Sequence, residues 1–315
     1  MSIFKVTGGK QLKGEIYPQG AKNEALQVIC ATLLTSEQVI IRNMPDIQDV
    51  NILIDLMRDL GVEVQSLNAH QYVFQAKTVN IEALLEPEFI EKARRLRGSI
   101  MLIGPLLARF GLGYIPQPGG DKIGRRRLDT HFKGFEDLGA MFKFNKKESF
   151  FKVSSKRLKG TYMLLDEASV TGTANILMAA CLAEGETTIY HAACEPYIQQ
   201  LCHMLNQMGA KISGIGSNLL KIKGVEQLGG AKHIILPDMI EVGSFIGLAA
   251  MTGSEIIIKD VNYNQLGLIP NAFNRLGIHF VKKGDDIPVP SQSGYKVETF
   301  LDGSIMKIDD APWPG

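Results

Sequence analysis

Between Pro116 and Arg127 the chain reads PQPGGDKIGRRR, which places three glycines, one carboxylate and four cations within twelve residues. Gly119 and Gly120 let a backbone bend sharply and come close to a ligand. Lys122, Arg125, Arg126 and Arg127 can neutralise phosphate or carboxylate, the arginines through a two-pronged contact. Asp121 is the one group of the stretch suited to carrying a proton. The combination describes a loop that closes over an anion. By composition alone it also reads as a solvated surface turn.

Other residues suit the same chemistry. Lys22 and Asn23 follow the turn Pro18-Gln19-Gly20-Ala21 and begin a helical pattern, where free backbone amides and a cation make an anion site. Arg94, Arg95 and Arg97 read as leading into a second helix in the same way. Three cations there oppose the helix dipole, which a bound anion would offset. Asp166 and Asp238 precede later helices, where a carboxylate is simply favourable. Ser169-Val170-Thr171-Gly172 offers hydroxyl and backbone N–H groups to a phosphate. The sequence holds no cluster with metal-ligand spacing and no dinucleotide fingerprint, so neither a metal nor a cofactor is expected.

The elements that carry these residues repeat. Gly20, Gly98, Gly172 and Gly243 are 78, 74 and 71 residues apart. Each opens a helical stretch rich in small and apolar residues, then a stop, then a β-rich strand. Small residues on these helices (Ala25, Ala31, Ala174, Ala179, Ala180, Gly247, Ala249 and Ala250) predict burial on most sides. A second, amphipathic helix keeps the same beat and closes on Leu-Gly or Met-Gly, the mark of a left-handed C-cap. One unit is therefore strand–helix–strand–helix–strand–strand, about 70 residues long, as in a duplicated folding unit. Four units are complete. A fifth begins at Ser304, and the expectation is that apolar faces there are covered by another chain or by a reorganised terminus, or that the chain is a fragment.

With 315 residues the chain has length for two domains. A net charge of +1 and clustered cations exclude a general nucleic-acid binder. No secretory signal is expected, and the longest apolar run, residues 98–108, is too short to span a bilayer. Cys30, Cys181, Cys194 and Cys202 show no paired spacing and fit free thiols in a reducing cytosol. No nucleic-acid or membrane partner is expected.

Taken together, GAKN at 20–23, LRGSIMLIGPLLARFG at 96–111, PGGDKIGRRRLDTH at 118–131, SVTGTANILMAACLAEG at 169–185, EP at 195–196, LPDMIEVGSF at 236–245 and the terminal APWPG resemble the UDP-N-acetylglucosamine enolpyruvyl transferase family. The resemblance runs the whole length of the chain, and the Pro-Gly-Gly loop is its most specific part. It implies an α/β (α+β) fold of two inverse α/β, barrel-like domains with three units each. Residues 22–236 would form a complete three-unit domain carrying the loop, and 1–21 with 237–315 a second, incomplete one. It also implies the substrates phosphoenolpyruvate and UDP-N-acetylglucosamine. By position, Lys22 and Asn23 match the pair that contacts both. Arg97 matches the arginine of the Arg-x-Ser-Ile motif, and Arg126 the loop arginine that clamps the anionic substrate. Arg126, Arg127, Leu128, Asp129 and Thr130, with Ser169, Val170 and Thr171, match the segments that hold the sugar nucleotide. Asp129 and His131 would orient the loop.

Asp121 stands where many family members carry a cysteine proposed as general acid. A carboxylic acid serves if loop closure desolvates it enough to raise its pKa against the pull of Lys122 and the arginines. The thiolate's nucleophilicity is lost, so insensitivity to the epoxide fosfomycin is expected. The family's second acidic residue, and arginines that close on phosphoenolpyruvate from the other domain, would fall after Gly315, and Met239 replaces an arginine found in many relatives. Catalytic residues are then Asp121 and Lys22, and little or no transferase activity is expected of this chain alone, with self-association through the incomplete domain as a further expectation. The alternatives are a 3-phosphoshikimate enolpyruvyl transferase, disfavoured by GAKN and PGGDKIG, and a non-catalytic UDP-sugar binding protein.

Overall fold

The structure, a computed structural model, describes residues 3–116, 128–145, 150–305, 307, 309, 311 and 313. The chain divides into two compact units, one of Ala21–Ile235 and one of Met1–Gly20 with Leu236–Gly315. In chain order, β1 (Lys13–Ile16) belongs to the smaller unit. The larger begins with α1 (Lys22–Ala31), β2 (Gln38–Arg42), α2 (Gln48–Asp59), β3 (Glu63–Asn68) and β4 (Gln71–Gln75). There follow α3 (Pro87–Arg94), a 3-10 segment (Arg97–Leu102) running into α4 (Ile103–Phe110), β5 (Leu112–Pro116), α5 (Asp129–Asp137), β6 (Met141–Asn145) and β7 (Phe150–Ser154). Then come β8 (Tyr162–Leu164), α6 (Val170–Ala180), β9 (Glu186–Tyr190), α7 (Pro196–Gln207), β10 (Lys211–Ser213), β11 (Leu219–Lys223) and β12 (Ala231–Ile234). The smaller unit resumes with α8 (Met239–Thr252), β13 (Glu255–Ile258), α9 (Ile269–Arg275) and β14 (Ile287–Val289).

The sheets obey one rule. In β8-β9-β11-β10 the leading strand is parallel to the strand after the first helix, and a hairpin follows antiparallel. The order β12-β2-β4-β3 repeats it, and β5-β7-β6 and β1-β13-β14 are shorter versions. Core strands alternate as a half-buried strand must, with buried Val39 and Ile41 in β2 and Thr187 and Ile189 in β9. The sheets stay separate, so the described residues close no barrel. One strand is exchanged. β1 precedes α1 in sequence but pairs with β13, while β12 supplies the parallel neighbour of β2, with Ala231 opposite Val39. Each unit thus borrows from a distant part of the chain.

The second helix of every repeat ends alike. Gly61, Gly139, Gly209 and Gly277 all have positive φ, and the following residue donates to the carbonyl five positions back, as Val62 does to Met57 and Ala210 to Leu205. These are Schellman caps, where only glycine takes the left-handed turn without strain. The first helices divide. In α1 and α6 every residue from Glu24 to Ala31 and from Gly172 to Ala180 is buried. Helix α8 departs from the expected all-round burial: Ala249 and Ala250 are buried, but Ile240, Leu248 and Met251 are exposed. The reason is its neighbours, since α6 packs against α4, α5 and α7, whereas α8 has β13 and β14 and, along Gly243 and Gly247, α9.

Close approach around α6 is made by missing side chains. A Cβ on Gly104 of α4 would lie 2.3 Å from the Asn175 carbonyl oxygen. At the end of α4, Arg109 Nη1 donates to the carbonyls of Leu33, Thr35 and Ala76 at 2.8–3.0 Å, tying down the end of the first helix. Cys30, Cys181 and Cys202 are buried free thiols, and burial pushes the Cys202 thiol up to about 12. Gly209→Ala is expected to cost about 1 kcal/mol, the penalty for a side chain at positive φ. Gly104→Ala is expected to cost about 3 kcal/mol, because backbone cannot yield to the new methyl as a side-chain tip can. Urea titration of both variants checks that order, and equal stability would mean that α4 and α6 separate at no cost.

Candidate active site

The sequence-predicted residues of the larger unit fall at helix starts. Lys22 and Asn23 are the first two residues of α1, and the cap residue Ala21 offers no side-chain oxygen to the helix start. Lys22 Nζ lies 2.5 Å from Asp49 Oδ2, in the first turn of α2. Sequence reasoning passed over Asp49, whose only signal is a carboxylate early in a helix. One turn after Lys22, Leu26 packs on Gly98, where a Cβ would be 3.0 Å from Leu26 Cδ1. Arg97, next to that glycine, heads the 3-10 segment and is half-buried.

The three-arginine reading needs correction. Arg94 is the last residue of α3 and Arg95 is its C-cap, so both sit where a cation is favourable to the dipole. Only Arg97 begins the next element, which opens as 3-10 and not α-helix. Asp238 is the N-cap of α8, accepting from Ile240 N at 2.9 Å, which accounts for it structurally.

The starts of α5 and α6 meet. Leu128 is the residue before α5, Asp129 opens it exposed to solvent, and Thr130 is buried. Thr130 Oγ1 donates to Glu167 Oε1 at 3.3 Å, just ahead of α6. Gly172 leaves room for this approach, since a Cβ on it would be 2.8 Å from Thr130 Cγ2. Ser169 caps α6, its Oγ accepting from Gly172 N at 3.2 Å, so one lone pair of that hydroxyl is spent on its own helix. Val170 and Thr171 form the first turn and are half-buried. Asp121, Arg126 and Arg127 lie outside the described residues.

Beneath this surface lies a polar group with no signal in the sequence. Asn175, fully buried in α6, accepts from Gly104 N at 2.7 Å and donates to Ile100 O at 2.9 Å. Its amide nitrogen is also 3.0 Å from His131 Nδ1, and His131 Nε2 is 3.2 Å from Thr171 Oγ1. The network joins the Arg97 segment, α4, α5 and α6. Burial, and secondarily the charge of Arg97, pushes the His131 pKa down to about 4. Glu195, N-terminal to α7, also has its carboxyl pKa raised by burial, and its Oε2 has no hydrogen-bond partner among the described residues. Among the described residues no group of His, Cys, Asp or Glu is placed to hold a metal, and no helix is long and apolar enough to cross a membrane.

Comparison with known proteins places this arrangement. The profile of the EPSP synthase (3-phosphoshikimate 1-carboxyvinyltransferase) family matches residues 6–312. A UDP-N-acetylglucosamine 1-carboxyvinyltransferase of Bacteroides fragilis is 63% identical over 315 residues, all of this chain and 73% of that protein. One from Porphyromonas gingivalis is 60% identical over the same span, and one from Treponema denticola 44%. The chain belongs to the enolpyruvyl (1-carboxyvinyl) transferases. Among solved structures, the enolpyruvyl transferase NikO from Streptomyces tendae superposes with a TM-score of 0.79 at 19% identity, covering 91% of this chain and 67% of that one. An EPSP synthase from Acinetobacter baumannii gives 0.65 at 20% identity, covering 90% of this chain and 66% of its own, and these two likenesses speak for the fold alone. The shikimate alternative is not favoured, because the relatives of high identity carry the other name.

The neutral, buried imidazole has a consequence for this transferase. Folding lowers the His131 pKa from 6.5 to about 4, so the unfolded chain binds that proton more readily. The stability is whole above about pH 6.5 and is lost as pH falls toward 4, a total of about 3 kcal/mol. Unfolding free energy measured by urea from pH 7 to 4.5 is expected to fall more steeply for the natural chain than for His131→Gln. Parallel slopes would show that His131 is solvated.

Proposed function

We propose that this chain transfers the enolpyruvyl group of phosphoenolpyruvate to the 3-hydroxyl of UDP-N-acetylglucosamine, the first committed step of peptidoglycan synthesis, in the cytosol. The observation that carries the acceptor assignment is the meeting of the starts of α5 and α6, with the Arg97–Leu102 segment packed on α6 and the Arg97 charge acting on His131, in a chain whose relatives of 60–63% identity are named for that acceptor. Backbone N–H groups at two helix starts and a guanidinium suit a diphosphate. Buried Thr130 serves there through its backbone, whereas Asp129, Ser169, Val170 and Thr171 have accessible side chains. Leu128, the residue before α5, extends the same wall, and Arg127 is assigned to the sugar nucleotide from its place in the sequence alone. Lys22 and Asn23 at the start of α1 take the anionic donor and the sugar. Asp49 is then the counter-ion that holds Lys22 in place until an anion arrives.

The reaction needs a proton delivered to C3 of phosphoenolpyruvate as the sugar oxygen bonds to C2 and loses its own proton. The tetrahedral adduct then loses a C3 proton and inorganic phosphate, restoring the double bond. Asp121 is the residue we assign to the C3 proton, with Arg126 and Arg97 on the substrate anions.

Calorimetry with the 315-residue chain is expected to give a Kd for UDP-N-acetylglucosamine between micromolar and millimolar. Arg97→Ala is expected to weaken it about 10-fold or more, the worth of a charge-assisted contact, and shikimate 3-phosphate to give no heat. The reverse preference would replace the acceptor. Mass spectrometry after prolonged incubation with fosfomycin is expected to find no adduct, because a carboxylate lacks the softness of a thiolate. An adduct at position 121 would remove Asp121 from its role.

A further inference from the structure

The Asn175 amide has no freedom in how it is read. Gly104 N–H can only donate, so the atom 2.7 Å from it is Oδ1, and Ile100 O can only accept, so the atom 2.9 Å from that is Nδ2. One Nδ2 hydrogen is thereby used, and the other faces His131 Nδ1 at 3.0 Å. That ring nitrogen must present a lone pair, since a proton there would set two donors against each other. The single proton of the neutral ring is therefore on Nε2, which donates to Thr171 Oγ1 at 3.2 Å. A hydroxyl that accepts on one lone pair keeps its own hydrogen. No other hydrogen bond joins Thr171 Oγ1 to the described residues, and Thr171 is half-buried in the first turn of α6.

We propose that Asn175, acting through His131, fixes Thr171 as a hydrogen-bond donor to a diphosphate oxygen of the sugar nucleotide. Asn175 and His131 are positioning residues, and Thr171 makes the contact. The inference rests on the UDP-sugar reading above and adds a polarity to it: the backbone of α4 and of the 3-10 segment determines which way a hydroxyl on α6 points its proton. The diphosphate is the fitting acceptor, because it carries only lone pairs and is drawn to the start of α6 beside Arg97. With the opposite ring tautomer, Thr171 would donate to His131 and turn a lone pair toward the anion. Close approach makes the pin possible, since any side chain at 104 would strike Asn175.

Two measurements on the full chain test this. Nitrogen-15 spectra of the His131 ring at pH 7 are expected to show the Nε2–H form, and Asn175→Asp, which can only accept at that position, is expected to move the proton to Nδ1. In calorimetry, Thr171→Val is expected to weaken UDP-N-acetylglucosamine about 10-fold or more, the worth of a hydrogen bond to a charged group, while Thr171→Ser retains binding. Asn175→Asp is expected to weaken it as well, with no further loss when Thr171→Val is added. A ring carrying its proton on Nδ1 in the natural chain overturns the proposal, as does a Thr171→Val chain that binds normally beside a natural chain that binds. Absence of binding by the natural chain would sink the UDP-sugar reading together with this one. Should Asn175→Asp not fold, the natural ring spectrum and the two Thr171 variants still decide.

Discussion

A helix buried on every side leaves no water for its polar groups, and the larger unit is organised around meeting that condition at α6. Asn175 is wholly enclosed, and a buried amide without partners would cost about 1–3 kcal/mol for each lost contact. Its partners come from backbone at Ile100 and Gly104 and from the ring of His131. The demand propagates outward. Gly104 must lack a side chain for its N–H to reach, and Gly134 must lack one for α5 to lie against Ile176, where a Cβ would be 2.2 Å from Cδ1. Satisfying one amide therefore sets the spacing of α4, α5 and α6, and with it the separation of the helix starts at the surface.

The second constraint is on strand edges. β1 leaves for the smaller unit, which would leave β2 with an open edge on the side away from β4. β12 fills that place in parallel register, and Asn43 Nδ2 then donates to Ile235 O as the chain departs. The same strand carries His233, whose Nε2 is 2.7 Å from Oε1 of the buried Glu24 in α1. An otherwise costly carboxylate in the core is answered by the element that closes the sheet. The start of α1, with Lys22 two residues before Glu24, is thus anchored from both the sheet and, through Asp49, from α2.

Local rules explain what the sequence disclosed. The four Leu-Gly or Met-Gly stops are legible because only glycine relieves a left-handed turn, and all four adopt it. The strands after each first helix are legible by alternation, and the family by motifs spread along the chain. Arg94 and Arg95 read as a helix start in the sequence because α3 has no counterpart in the other repeats among the described residues, so the repeat gives no warning of a helix that ends there. Helix α8 is less buried than its small residues predict, because small residues report how closely a helix can be approached and not how many neighbours approach it. Asn175 was invisible for a different reason. Its partners are 44 to 75 positions away, and nothing about an asparagine in an apolar run tells a pinned amide from a tolerated one.

His131 shows how chemistry is divided between layers. In sequence it follows a cationic loop, and the family resemblance implies that it orients that loop. In the fold it is 1% exposed, neutral, and flanked by an amide on one nitrogen and a hydroxyl on the other. A ring so placed is unsuited to exchanging protons with substrate, because its charged form is disfavoured by burial and by Arg97. What it can transmit is direction. The polarity of two backbone groups enters the Asn175 amide, crosses the imidazole and leaves at the Thr171 hydroxyl. The outer residues can then be short and half-exposed while the geometry they present is fixed from within the core.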